Sequence, residues 1–350
     1  MIPSASALLD WYERHRRDLP WRAPPGGRTP PYHVWLSEIM LQQTTVVTVK
    51  PYYSRFLSRY PTIEALAKAP QEDVLAAWAG LGYYTRARNL HACAQQIAAL
   101  GAFPSTVPAL RALPGIGDYT ARAIAAIAFG VPVVPVDGNV ERVTSRLFAI
   151  DTPLPAARRL LAQQAAILNT EPAAQANASD FAQALFDLGA TICTPRAPTC
   201  ILCPWQPHCS AYAQGIAEKL PVKAPRGAKP QKYGACFVLR DRHGAVWLRR
   251  RPEKGLLAGM TELPGTNWRL EAWSEQEALS HAPAQAEWRE VGFVTHVFTH
   301  LTLQLTVYDA QISEFRSHPL GEGFSCSAQA LEAQALPSVM RKCLALAGLS

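Results

Sequence analysis

Apolar residues recur at three- and four-residue spacing through Val34–Gln43, Thr62–Leu66, Asp73–Ala79, Ala87–Leu100, Tyr119–Phe129, Val140–Ala149, Ala156–Leu168 and Asp180–Ile192. That spacing lines one face of an α-helix, and short Pro/Gly/Asp breaks separate the segments. Residues from Ala5 to about Gly215 are therefore predicted to be all-α. After Tyr233 the period changes. Ala235–Arg240, Ala245–Arg250, Val291–His296 and Leu301–Tyr308 are short strand-like runs, and residues 300–307 alternate polar and apolar. With helices near Ser274–Leu279 and Pro337–Leu346, this predicts a smaller α+β domain. Between the two patterns lies Lys219–Lys232, with five basic residues, three prolines and no acid, the composition of an extended cationic tether.

Composition narrows the partners. A chain of 350 residues, 49% of them hydrophobic, can fill two or three cores. The net charge of +7, carried mostly by arginine, suits a polyanion such as nucleic acid or an anionic membrane, although a basic globular protein needs neither. Charged residues from Asp10 onward interrupt the N-terminus before a signal-length apolar run develops. The longest uncharged apolar stretch, Ala123–Val136, contains Pro132 and Pro135 and is too short to span a bilayer. The expectation is a soluble, cytoplasmic protein.

Four of the eight cysteines crowd together as Cys193-x6-Cys200-x2-Cys203-x5-Cys209. Four thiolates within one loop can surround a metal centre, and the spacing alone fits zinc or a 4Fe–4S cluster. Farther upstream, Leu113-Pro-Gly115-Ile-Gly117 lies between two helical segments, where glycine permits left-handed backbone and close approach of N–H groups to an anion. The helix beginning at Asp118 or Tyr119 aims its positive end the same way. Val136-Asp137-Gly138-Asn139-Val140 follows at the start of another helix, where Asp137 can cap it and be held as an anion.

Together, C-x6-C-x2-C-x5-C and LPGxG…VDGNV resemble the helix-hairpin-helix glycosylases of the endonuclease III and MutY type. The resemblance implies a 4Fe–4S cluster on Cys193, Cys200, Cys203 and Cys209, with Arg196 near the DNA backbone. It implies that Asp137 stabilises a sugar cation and that Gly115 and Gly117 meet a phosphate. Endonuclease III-like lyases carry a lysine two residues after the last hairpin glycine, where it forms a Schiff base. Tyr119 stands there instead, and no lysine lies between Lys68 and Lys219. The string Trp35-Leu-Ser-Glu38-Ile-Met-Leu-Gln-Gln43-Thr44 resembles the MutY segment with the catalytic glutamate. Pro31 can start that helix. Apolar neighbours should raise the pKa of Glu38, so that it can protonate adenine N7. On periodicity alone, Glu38 reads as an ordinary surface acid.

The same resemblance implies that Asn139 and Tyr119 orient the sugar-side chemistry, and that Tyr83 wedges beside 8-oxoguanine with Leu81, Gln43 and Thr44. Arg86 and Arg88 fit phosphate contacts or a solvated helix face equally. The C-terminal part resembles the MutT-like Nudix domain of MutY proteins. Glu262, Glu271, Glu275 and Glu277 lack the spacing of a Nudix metal helix, so recognition is expected there rather than hydrolysis. His296-Val-Phe298-Thr299-His300 matches the loop that reads 8-oxoguanine, with Thr299 replacing the usual serine.

The expected architecture is multidomain. An all-α helix-hairpin-helix glycosylase region at 1–218 carries a 4Fe–4S loop, a six-helix barrel spans about 28–133, and the N-terminal helix joins 134–218 as an iron–sulfur subdomain. A linker at 219–232 leads to an α+β Nudix-like recognition domain at 233–350. The expected function is monofunctional removal of adenine opposite 8-oxoguanine or guanine in base excision repair, by a monomer acting on double-stranded DNA. A pyrimidine-lesion glycosylase of the same fold and a non-catalytic iron–sulfur DNA-binding or redox-sensing protein are the alternatives.

Overall fold

The structure, a computed structural model, describes residues 2–24, 27–225, 227–252, 255–317, 320–332 and 334–349. Its contacts divide the chain into two units, one of residues 1–69 and 89–225 and one of residues 70–88 and 226–350. Among the described residues no helix is long and apolar enough to cross a membrane.

The first unit is helical. Pro31 occupies the first turn of the helix Pro31–Leu41, where its fixed φ fits and its missing N–H is no loss. Nearly every residue of this helix from Tyr32 to Met40 is buried, so it runs through the core rather than over it. It packs against the helix Asp118–Phe129, whose alanines let the two backbones approach, and that helix packs in turn on Ala178–Asp187. The helices Val107–Arg111 and Asp118–Phe129 flank the Leu113–Gly117 turn. Gly115 has φ +74°, and a Cβ there would lie 2.8 Å from that of Asn89. Glycine is needed at this position for both reasons. Gly117 differs from the expectation: its φ of −85° is open to any residue.

Most helix boundaries fall within three residues of the periodic segments, although the segment Asp180–Ile192 is α-helical only to Asp187. The largest omission is Val46–Arg59, a helix capped by Thr45 that accommodates Pro51 inside it. Helix Ala178–Asp187 ends in a π-turn, Leu188–Ile192, that leads into the cysteine loop. The expected linker begins ordered: Leu220 is buried, and the backbone of Leu154 pairs with Val222 and Ala224.

The second unit centres on a sheet with strands β1 (Gln231–Arg240), β2 (Val246–Arg250), β3 (Thr261–Glu262), β4 (Arg289–Val297), β5 (Thr302–Gln311) and β6 (Phe324–Cys326). The order is β3-β2-β1-β5-β4, with β6 also paired to β2. β1 and β5 run parallel over the register from Gln231↔Thr302 to Arg240↔Gln311, while β4 and β5 are antiparallel with a bulge between Glu290 and Gly292. The helix Ser338–Leu346 covers an apolar face that includes Val238, Leu248, Leu303 and Leu305. Residues 70–88, read from sequence as part of the helical region, pack within this unit. Glu72 pairs with Arg250 at 2.8 Å, and Arg88 Nη1 donates to the Ala258 carbonyl at 2.5 Å. Contacts some 170 positions apart leave no trace in local periodicity.

Candidate active site and cysteine loop

A cleft of about 1000 Å³ opens in the first unit, and both Glu38 and Asp137 line it. Glu38 comes from the buried helix Pro31–Leu41 and is only 7% exposed. Burial raises its carboxyl to about 7. Asp137 raises it further by like charge, whereas Arg22 and a hydrogen bond from Tyr119 oppose the rise. That bond runs from the Tyr119 hydroxyl to Glu38 Oε2 at 2.7 Å. Tyr119 sits in the first turn of Asp118–Phe129, one helix over. Its own hydroxyl is pushed well above the usual range, first by burial and then by the two carboxyls, so it stays a donor.

Asp137 is the N-cap of the helix Gly138–Leu147. Its Oδ1 accepts from the backbone N–H groups of Asn139 (2.9 Å) and Val140 (2.8 Å), and Oδ2 accepts from Asn139 Nδ2 (2.9 Å). Burial nonetheless raises its pKa, with these three donors and Arg142 pulling against it. Desolvation is the larger effect, and the donors limit it. Asn139 is fixed in turn by Arg142, which donates to Asn139 Oδ1 at 2.9 Å and to the carbonyls of Gly189 (2.6 Å) and Cys193 (2.7 Å). Gly189 allows this packing, because a Cβ there would lie 2.6 Å from that of Asn139.

Gln43 and Thr44 line the cleft just past the helix end, with Gln43 exposed and at φ +61°. Left-handed backbone is uncommon outside glycine and marks a locally strained turn. In the second unit Tyr83 shares that geometry, with φ +51°, and is 51% exposed. Its hydroxyl lies 2.9 Å from Thr299 Oγ1, and both line a cavity of about 620 Å³ with Phe298 and His300. Leu81 lines that cavity too but is buried, which differs from a residue held out toward a ligand. Phe298 stacks near Trp268 and His296. Of the C-terminal glutamates, Glu262 is buried in ion pairs with Arg249 and Arg251, and Glu277 caps its own helix and pairs with Arg269.

The cysteine loop is built from tight turns, the 3₁₀ segments Cys200–Leu202 and Gln206–His208. Arg146, almost wholly buried, threads it, donating to Cys193 Sγ (3.4 Å) and to the carbonyls of Thr194, Pro195 and Leu220. Arg196 stays exposed. Burial is the main reason the Cys200, Cys203 and Cys209 thiols titrate high, Cys203 at about 12, and neighbouring Cys193 raises each further. The four cysteines are thus near enough to act on one another. Among the described residues no three His, Cys, Asp or Glu side chains converge on a point suited to a single metal ion. Four cysteines on one loop, Cys193, Cys200, Cys203 and Cys209, are the donor set that a four-iron cluster takes.

Sequence patterns gave no warning of Arg17, Arg22, Gln42, Gln183 or Phe186, all of which line the cleft. Arg22 is fixed by Asp187, 165 positions away. The buried arginines at 142 and 146 carried one legible sign, a spacing of four on a helix whose other buried positions are mostly apolar or small.

The profile of the HhH-GPD superfamily base excision DNA repair proteins matches residues 36–166, and that of the NUDIX domain matches residues 235–346. The adenine DNA glycosylase of Homo sapiens is 36% identical over 361 residues, covering 86% of this chain and 66% of the human protein. That of Buchnera aphidicola subsp. Schizaphis graminum is 31% identical over 315 residues, covering 89% of this chain and 88% of its own. The chain belongs to the adenine DNA glycosylase family. It spans just under two thirds of the human relative's length and most of the bacterial one's. Among solved structures, a thermostable thymine-DNA glycosylase superposes with a TM-score of 0.53 at 32% identity, over 60% of this chain and 95% of that one. Membership in the family accounts for a helical glycosylase region followed by a mixed-sheet NUDIX domain.

Proposed function

We propose that this chain is a monofunctional adenine DNA glycosylase of base excision repair, hydrolysing the N-glycosidic bond of adenine opposite 8-oxoguanine or guanine in double-stranded DNA. One observation carries the reading: a carboxyl raised toward neutrality and a carboxyl anchored by three donors line the same nucleotide-sized cleft. Chemistry on a paired base requires its extrusion from the duplex. With the base in the cleft, Glu38 donates a proton to adenine N7, and the purine departs as a better leaving group. Tyr119 occupies Oε2, which leaves Oε1 to carry that proton. Asp137 faces the positive charge that develops on the sugar, or bonds to it transiently before water enters. Asn139 holds Asp137, and Tyr119 orients Glu38 from the hairpin position that a lyase fills with lysine.

Cys193, Cys200, Cys203 and Cys209 would hold the family's 4Fe–4S cluster, which when bound ties the loop into one rigid unit. The hairpin backbone at Gly115 and Gly117, with Gln43 and Thr44, meets the strand around the extruded nucleotide. Tyr83, Leu81, Phe298, Thr299 and His300 read the opposite base, with the Tyr83–Thr299 hydroxyl pair supplying hydrogen bonds. A tether within residues 219–232 precedes a recognition domain at 233–350, and the chain works as a monomer in the cytoplasm.

The test is incubation with a duplex carrying adenine opposite 8-oxoguanine. The expected product is an abasic site that cleaves only after alkali. Unaided cleavage through a borohydride-trapped adduct would replace this reading with a lyase, and a bound but unaltered duplex would replace it with a DNA-binding protein.

A further inference from the structure

Asp187 is fully buried, yet it is neither a cleft residue nor part of the cysteine set. Four donors converge on its carboxylate. Arg17 contributes its backbone N–H at 3.0 Å and its Nε at 2.5 Å, and Arg22 contributes Nη1 at 2.7 Å and Nη2 at 2.8 Å. The second pair is a planar two-point fork, the geometry that fixes a guanidinium in direction as well as in place. The Arg22 side chain is itself buried, with 6% exposed, and its Nη1 also donates to the Arg17 carbonyl at 3.2 Å. It nevertheless lines the cleft with Glu38.

A buried cation beside a carboxyl normally holds it as the anion. Here the cation already has an anion of its own. We propose that Asp187 is a positioning residue for acid chemistry at Glu38: by pinning Arg22 and balancing its charge, it keeps Glu38 able to carry a proton at neutral pH. The groups facing each other across this cluster are few. Arg22, Tyr119 and Asp137 act on Glu38, each from a different element. Asp187, Tyr12 and Glu38 act on Arg22. Tyr12 lies between Arg16 and Arg22, and Asp180 feels both arginines. Arg17, 28% exposed, meets solvent, so its charge is partly screened and Asp187 serves chiefly the buried Arg22.

This inference rests on the reading of Glu38 as the proton donor, and its test separates the two. The full chain is labelled with ¹³C at glutamate carboxyls, and the Glu38 signal is assigned by its loss in Glu38→Gln. Its titration midpoint is followed by NMR in the wild type, in Asp187→Asn and in Arg22→Met. The same proteins are assayed for single-turnover adenine release across pH. Asp187→Asn should lower the Glu38 midpoint by about one pH unit and Arg22→Met should raise it, because the first frees a positive charge and the second removes one. The pH limb of excision should move with each midpoint. A merely structural role would lower the rate and leave both midpoints where they are, and that result overturns the proposal. If Asp187→Asn does not fold, the double variant Asp187→Asn/Arg22→Met decides: a midpoint near the wild type's supports the proposal, and one as high as that of Arg22→Met alone overturns it. Midpoints that move as expected in a chain that releases no adenine would refute the proposed activity and leave the charge relationship standing.

Discussion

The Tyr119 hydroxyl donates to Glu38 Oε2 at 2.7 Å, joining the hairpin helix directly to the buried acid. The sequence comparison had assigned Tyr119 to the sugar side, with Asn139. In the structure Asn139 bonds to Asp137 through its side chain, while the Tyr119 hydroxyl bonds to Glu38 instead. Removing this donor in Tyr119→Phe takes away a bond that favours the ionised carboxyl. The pH at which excision is lost should therefore move upward in that variant, measured by single-turnover rates from acid to alkaline pH.

The proton on Glu38 also ties activity to stability. Its carboxyl rises from 4.5 to about 7 in the fold. For an acid raised by folding, the associated stability is complete below the unfolded value and is lost as pH climbs through the folded one. That loss runs from about pH 4.5 to about pH 7, whereas excision follows the folded carboxyl's own proton and should fall around and above pH 7. Glu38→Gln removes the ionisation, so it should match the wild type near pH 4 and be more stable by up to about 3 kcal/mol well above pH 7. Denaturant unfolding at the two pH values measures this.

Asp137→Asn separates charge from capping. Asn caps a helix about as well as Asp, so stability should change by less than about 1 kcal/mol. The negative charge facing the sugar is gone, and excision should fall by about 10²–10³-fold. Thermal unfolding and single-turnover kinetics on one preparation distinguish these effects.

Thr299→Val keeps the side-chain shape and removes the hydroxyl that meets Tyr83. The proposed recognition role predicts that the preference for 8-oxoguanine over guanine opposite adenine narrows by up to about tenfold. Excision opposite guanine should be nearly unchanged.

Much of the first unit was legible because its signals are local. Pro31 starts a helix, Asp137 caps one, and Gly115 takes the left-handed turn, each within a few residues of its cause. The Glu38 helix shows where periodicity falls short. A helix buried on nearly all sides has no polar face, so spacing alone could not show that its acid points into a cleft. Gln43, expected inside that helix, instead leaves it at φ +61° because the helix ends at Leu41. Features decided by distant pairing were not legible. The two-residue β3 and three-residue β6 are strands only because β2 lies beside them. The Asp187–Arg22 fork and the Tyr83–Thr299 pair join residues 165 and 216 positions apart.

The central claim is that Glu38 gives a proton to a base held in the cleft it shares with Asp137. The most direct measurement compares wild type and Glu38→Gln on a duplex with adenine opposite 8-oxoguanine, scoring free adenine released and duplex bound on the same samples. The wild type should release adenine, Glu38→Gln should release none, and both should bind the duplex comparably. Adenine release by Glu38→Gln at the wild-type rate would contradict the claim.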